Sequence, residues 1–147
     1  MKARWLRLAY LKNREVKMRS APLISIVDDD ESMRESTEGL VRSFGYQVAT
    51  FASAEEFLKS GRVDNTSCLI ADVQMPGLSG IDLQRRLIAQ GVHMPTIFIT
   101  AFPEEGTRTR ALTAGAVGYL GKPFSEESLL KCLDTALGSS NEKMPQP

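Results

Sequence analysis

Short apolar runs that stop abruptly, each followed by a stretch with helical spacing, govern what this chain can become. The most informative is Cys68-Leu-Ile-Ala-Asp72-Val-Gln-Met-Pro-Gly-Leu-Ser-Gly80. The run from Cys68 to Ala71 ends in an acid, and a Pro-Gly turn and a second glycine follow at once. An apolar run of this length bounded by turn residues reads as a buried strand. Asp72 is then its last residue, at the mouth of a sheet, where open α/β sheets place their ligand chemistry.

The same grammar repeats along the chain. Leu23–Val27 reads as strand one and runs into Asp28-Asp29-Asp30-Glu31. Met33, Thr37, Leu40, Val41 and Phe44 recur at helical spacing, and Gly45 ends that helix. Residues 46–51 form strand two, and Ser53 with Glu56 predicts a capping box for a short helix through Phe57 and Leu58. A loop over residues 61–67 leads into strand three, Cys68–Asp72. Ile81, Leu83, Leu87 and Ile88 mark helix three, ended by Gly91, and Thr96–Thr100 is strand four. Helix four, over residues 104–114, has a thin apolar face of Ala111, Leu112 and Ala114, which makes it the least anchored element. Residues 117–120 are strand five, followed by Lys122-Pro123. Ser125 caps helix five, whose stripe is Leu129, Leu130, Leu133, Ala136 and Leu137. Five strands alternating with five helices predict an α/β fold, a parallel sheet covered on both faces.

A chain of 147 residues fits one domain. The expected organisation is a flexible basic extension over residues 1–21, a folded domain over 22–138 and a disordered polar tail over 139–147. Acids and bases balance at 18 each, but residues 1–20 hold seven bases against Glu15 alone, so the remaining 127 residues carry −6. An acidic body argues against nucleic-acid binding, which needs clustered Lys and Arg. The extension admits two readings, a basic amphipathic helix or a frayed segment preceding a true start at Met18. Cys68 and Cys132 have no metal or disulfide spacing and are expected to be buried free thiols, which suits a cytoplasmic location. No apolar run is long enough to span a bilayer, and no signal-peptide core is present, so no membrane partner is expected. His93 reads as a loop residue and Met75 as turn packing.

In a parallel sheet the C-terminal ends of all strands share one edge. Here those ends are Asp28-Asp29, Asp72, Thr100 and, just past strand five, Lys122. Two like charges about 4 Å apart cost on the order of 4 kcal/mol at an effective dielectric near 20, so a cation belongs among these carboxylates. Oxygen donors without His or Cys select a hard ion, and Mg²⁺ is expected. A carboxylate can attack phosphorus to give an acyl phosphate, with the remaining work being charge neutralisation. Mg²⁺, Lys122 and the Thr100 hydroxyl would each cover one phosphoryl oxygen, and Asp72 would be the nucleophile.

These residues resemble a known family. Ile26-Val-Asp-Asp-Asp-Glu31, Asp72-Val-Gln-Met-Pro-Gly77 with Gly80, Thr100-Ala101 and Lys122-Pro123-Phe124 are similar to the receiver domain of bacterial two-component response regulators. Ser53-Ala-Glu-Glu-Phe57 and Ala114-Gly-Ala-Val117 point to its FixJ-like branch. The resemblance covers residues 22–138. It implies a flavodoxin-like, CheY-like three-layer sandwich with strand order 2-1-3-4-5. It implies a phosphoacceptor signalling domain rather than an enzyme, one that takes its phosphoryl group on Asp72 from a sensor histidine kinase or a phosphotransfer protein. By the same resemblance Asp29, Asp72 and the Gln74 backbone carbonyl would hold Mg²⁺ directly, and Asp28 through a water. Thr100 would be the switch hydroxyl, Lys122 the phosphate-binding ammonium, and Tyr119 a switch aromatic that turns inward as Thr100 moves. A cis Lys122–Pro123 bond is implied, and Gln74 and Phe102 would form the rim of the site.

Output would run through protein contacts of the face made by helix four, strand five and helix five, with a homodimer among the options. FixJ-like proteins usually carry a DNA-binding region, which this chain is not expected to supply. The rival reading is a haloacid-dehalogenase-like aspartyl-phosphate phosphohydrolase. It would use Asp28 as nucleophile and Asp30 as its second acid, and it leaves the Asp72 stretch unexplained.

Overall fold

The computed structural model describes residues 21–138. The proposed tail over 139–147 lies outside the described residues, as does all of the basic extension except Ala21. The elements in order are β1 (Leu23–Val27), α1 (Glu31–Ser43), β2 (Gln47–Phe51), α2 (Ala54–Lys59), β3 (Cys68–Asp72), α3 (Gly80–Ala89), β4 (Thr96–Thr100), α4 (Glu105–Thr113), β5 (Gly118–Gly121) and α5 (Glu126–Leu133). The five strands form one sheet in the order β2-β1-β3-β4-β5, every pairing parallel.

Side chains alternate across the sheet with the period of two that strands impose. Ile26, Ile70 and Ile97 stand in register across β1, β3 and β4. Together with Ile24, Cys68 and Ile99 they meet Val41 of α1 and Leu129 and Leu133 of α5. Val27, Leu69, Ala71 and Phe98 belong to the opposite cluster, with Phe57 of α2, Leu83 and Leu87 of α3 and Ala111 of α4. The result is a flavodoxin-like sandwich, with α1 and α5 on one face and α2, α3 and α4 on the other. Both β3 and β4 are buried along their whole length, which explains their unbroken apolar character. Each fully buried Ile or Leu contributes about 1.5–3 kcal/mol relative to exposure.

Several local expectations shift. Strand two begins at Gln47, and strand five runs over Gly118–Gly121, one residue later than its apolar run suggests. Gly118 lies beneath α5, where a Cβ would come within 2.6 Å of the Cys132 sulfur. Cys132 is only partly buried, unlike Cys68. Leu130 leaves the α5 stripe and is exposed. Past Leu133 the chain widens into a π-helical turn, Asp134–Gly138, from which Ala136 and Leu137 still reach the core. Ser53 accepts a hydrogen bond from Glu56 N, but the reciprocal capping box occurs at Ser79 and Asp82, opening α3. No helix among the described residues is long and apolar enough to cross a membrane.

Candidate functional site

β1 and β3 end side by side, so the acids that follow their apolar runs are brought together by register alone. Asp28 follows β1 and is fully buried, and Asp72 closes β3 with 5 % of its surface exposed. Lys122, just beyond β5, reaches back across the sheet edge. Its Nζ donates to Asp72 Oδ2 at 2.7 Å and to Asp28 Oδ2 at 3.3 Å. The second oxygen of each acid is held by backbone two residues on: Asp30 N donates to Asp28 Oδ1 at 2.9 Å, and Gln74 N to Asp72 Oδ1 at 3.0 Å. Asp29 is exposed, and an oxygen from each of Asp28, Asp29 and Asp72 lies within 4.8 Å of the others. Two of these three carboxylates share one ammonium. Such a set, made only of oxygens and open to solvent on the Asp29 side, fits a hard divalent cation.

The electrostatics follow from burial. Loss of water raises the Asp28 pKa, and the neighbouring Asp72 charge adds to the rise; the Asp30 hydrogen bond and Lys122 oppose both without cancelling them. For Lys122, burial disfavours the ammonium, but its bond to Asp72 and the charges of both acids outweigh that and raise the pKa above 10.5. Lys122 thus stays charged at neutral pH.

Thr100 ends β4 fully buried. Its hydroxyl donates to Gln74 Oε1 at 2.6 Å and accepts from Phe102 N at 3.0 Å. The Lys122 backbone N–H donates to Thr100 O at 2.7 Å, tying β5's exit to β4's, and the Lys122–Pro123 peptide is cis. Phe102 projects to solvent, 71 % exposed. Tyr119 already lies inside, 7 % exposed, with its ring 6.5 Å from that of Phe98. It packs in the same cluster as Ala111 of α4 and Ala116 of the loop that follows. Among the described residues the Tyr119 hydroxyl has no hydrogen-bond partner.

Other residues position these groups, and Arg34 among them was not singled out in the sequence. Arg34 of α1 donates to Asp28 O at 2.8 Å. Glu55 of α2 accepts from Leu78 N at 3.2 Å, and a Cβ on Gly77 (φ +76°) would strike that same carboxylate. Gly80 packs so closely on the Asp72 carbonyl that any side chain would displace the backbone carrying the acid. Asp30 instead caps α1, accepting from Met33 N, and is exposed.

A parallel β-sheet gathers two buried acids, a lysine and a threonine at its C-terminal edge, the architecture of a signalling receiver domain. Residues 24–134 match the response regulator receiver domain family, and the chain belongs to it. It is 45 % identical over 114 residues to nodulation protein W of Bradyrhizobium diazoefficiens, covering 78 % of this chain and 50 % of that protein. It is 35 % identical over 120 residues to the transcriptional regulatory protein FixJ of Azorhizobium caulinodans, covering 82 % and 57 %. The solved structure of response regulator StyR superposes with a TM-score of 0.76 at 41 % identity, covering 84 % of this chain and 63 % of that one. The domain is thus a FixJ-like receiver, and the chain spans about half the length of the curated relatives it matches. The phosphohydrolase alternative falls with this assignment, and its second acid, Asp30, is occupied as a helix cap.

Proposed function

We propose that Asp72 accepts a phosphoryl group from a sensor histidine kinase or a phosphotransfer protein, and that the domain signals through protein contacts. The observation that carries this reading is the Lys122 ammonium bridging Asp72 and Asp28 beside an exposed third acid. In the transfer an Asp72 carboxylate oxygen attacks phosphorus, the new O–P bond forms as the donor's N–P bond breaks, and the electron pair leaves with the imidazole. Lys122 moves from Asp72 to a phosphoryl oxygen, which replaces one anionic partner by another at little cost. The Thr100 hydroxyl donates to a second phosphoryl oxygen. Asp29, Asp72 and the Gln74 carbonyl would hold Mg²⁺, with Asp28 acting through a water. When bound, the ion would neutralise charge on the oxygens of the phosphoryl group in transfer. Gln74 and Phe102 form the rim past which the donor approaches. Phosphorylation then biases the surface made by α4, β5 and α5, where partners or a second copy dock. This chemistry belongs in the cytoplasm, beside the catalytic portion of a kinase.

Incubation with acetyl phosphate and Mg²⁺, followed by intact mass, tests the assignment. One base-labile phosphoryl group should appear on the wild type and none on Asp72→Asn. Labelling of Asp72→Asn that disappears in Asp28→Asn would move the nucleophile to β1 and overturn the proposal.

A further inference from the structure

Gln74 touches the site at two atoms that serve different ends. Its backbone N–H orients Asp72, while its side-chain Oε1 takes the proton of the Thr100 hydroxyl at 2.6 Å. A threonine hydroxyl has one proton to donate. As long as Gln74 holds it, Thr100 cannot donate to anything placed on Asp72. The hydroxyl oxygen is engaged as well, accepting from Phe102 N at the start of the loop leading to α4. We infer that the Gln74 side chain is a latch on Thr100, a positioning residue that stabilises the unphosphorylated state and opposes phosphoryl binding.

The inference rests on the phosphoacceptor reading above and adds a direction to it. The Thr100 proton is either on Gln74 or on the phosphoryl group, so the two bonds compete. Gln74 is exposed, so once released its amide is satisfied by water. The Thr100 oxygen also accepts from Phe102 N, so any shift of the hydroxyl toward the phosphoryl group is felt by the loop that leads to α4. The cost of phosphorylation therefore includes a bond whose strength is set by the residue at position 74. The neighbouring Phe102 contributes through its backbone N–H, whatever its side chain.

Beryllofluoride, a phosphoryl analogue, tests this by calorimetric titration in the presence of Mg²⁺. Gln74→Met keeps the length of the side chain and removes the acceptor. It should bind beryllofluoride about five-fold tighter than wild type, since a neutral hydrogen bond contributes on this scale. In a Thr100→Ala background the same substitution should change the affinity little, as the latch then has nothing to hold. Equal or weaker binding by Gln74→Met, or an effect that persists unchanged without the Thr100 hydroxyl, overturns the latch. Wild type that fails to bind beryllofluoride at all overturns the site reading itself, and the latch with it.

Discussion

Asp28 and Asp72 share one ammonium, and with Asp29 beside them the site carries more negative charge than Lys122 can balance. Asp28 bears the largest cost because it is fully buried, and its raised pKa expresses that cost. A carboxyl whose folded pKa lies above its unfolded value stabilises the fold below the unfolded pKa, and loses that stabilisation as pH rises through the folded one. Asp28→Asn, without metal, should therefore be more stable than wild type at neutral pH by about 1 kcal/mol, leaving Lys122 paired with Asp72. That advantage should shrink as pH falls into the carboxylate range, and Mg²⁺ should stabilise wild type more than the variant. Urea unfolding at several pH values, with and without Mg²⁺, measures all three. At this scale the sequence was informative where the sheet edge does the work. Asp28, Asp72, Thr100 and Lys122 follow their strands, so finding the strands found the residues. The bonds from Gln74 to Thr100 and from Glu55 to Leu78 were not legible, since they depend on rotamers and loop paths that join residues 26 and 23 positions apart.

Among the elements, α4 is the one held least. Ala111 is its only buried residue, Leu112 is exposed, and its N-terminal residue Glu104 makes no side-chain cap. The thin face was visible in the sequence, because a helix with one buried small residue cannot draw much stability from packing. What the sequence did not reveal is the polar tether: buried Gln84 of α3 donates Nε2 to Ala111 O at 3.2 Å. Gln84 sits among apolar positions of α3 and would ordinarily be assigned to the solvent face. Removing it leaves a buried carbonyl with one partner fewer. Gln84→Ala should cost about 1 kcal/mol overall and raise amide hydrogen exchange in α4 selectively, with α1 and α5 unchanged. Uniform acceleration in every helix would mean that Gln84 supports the whole fold rather than tethering α4.

The whole molecule divides its sheet into two unequal sides. One is closed by the amphipathic helices α1 and α5, the other by α2, α3 and the loosely held α4. Cys68 lies on the tight side, and burial, with a small contribution from Cys132, pushes its thiol up to about 12 from 9.0. Above pH 9 the unfolded chain ionises this thiol while the folded one does not. Its stabilising contribution is thus complete below pH 9 and fades as pH rises, with a slope of up to about 1.4 kcal/mol per pH unit. Cys68→Ala should flatten the alkaline fall of the unfolding curve, after its constant cavity cost is subtracted. A parallel sheet covered on both faces was legible at this scale because short apolar strands linked through helices leave few topologies, while the strand order came from the family resemblance. The tilted contact of Tyr119 with Phe98 was not legible, because it depends on how side chains of neighbouring strands meet. The most direct test of the whole account is the site of the phosphoryl group on the chain. Protein labelled with acetyl phosphate and Mg²⁺ is reduced with borohydride, which converts an aspartyl phosphate to homoserine, and its peptides are sequenced by mass. Homoserine at position 72 alone is the predicted result; homoserine at 28, 29 or 30, with position 72 intact, would contradict the account.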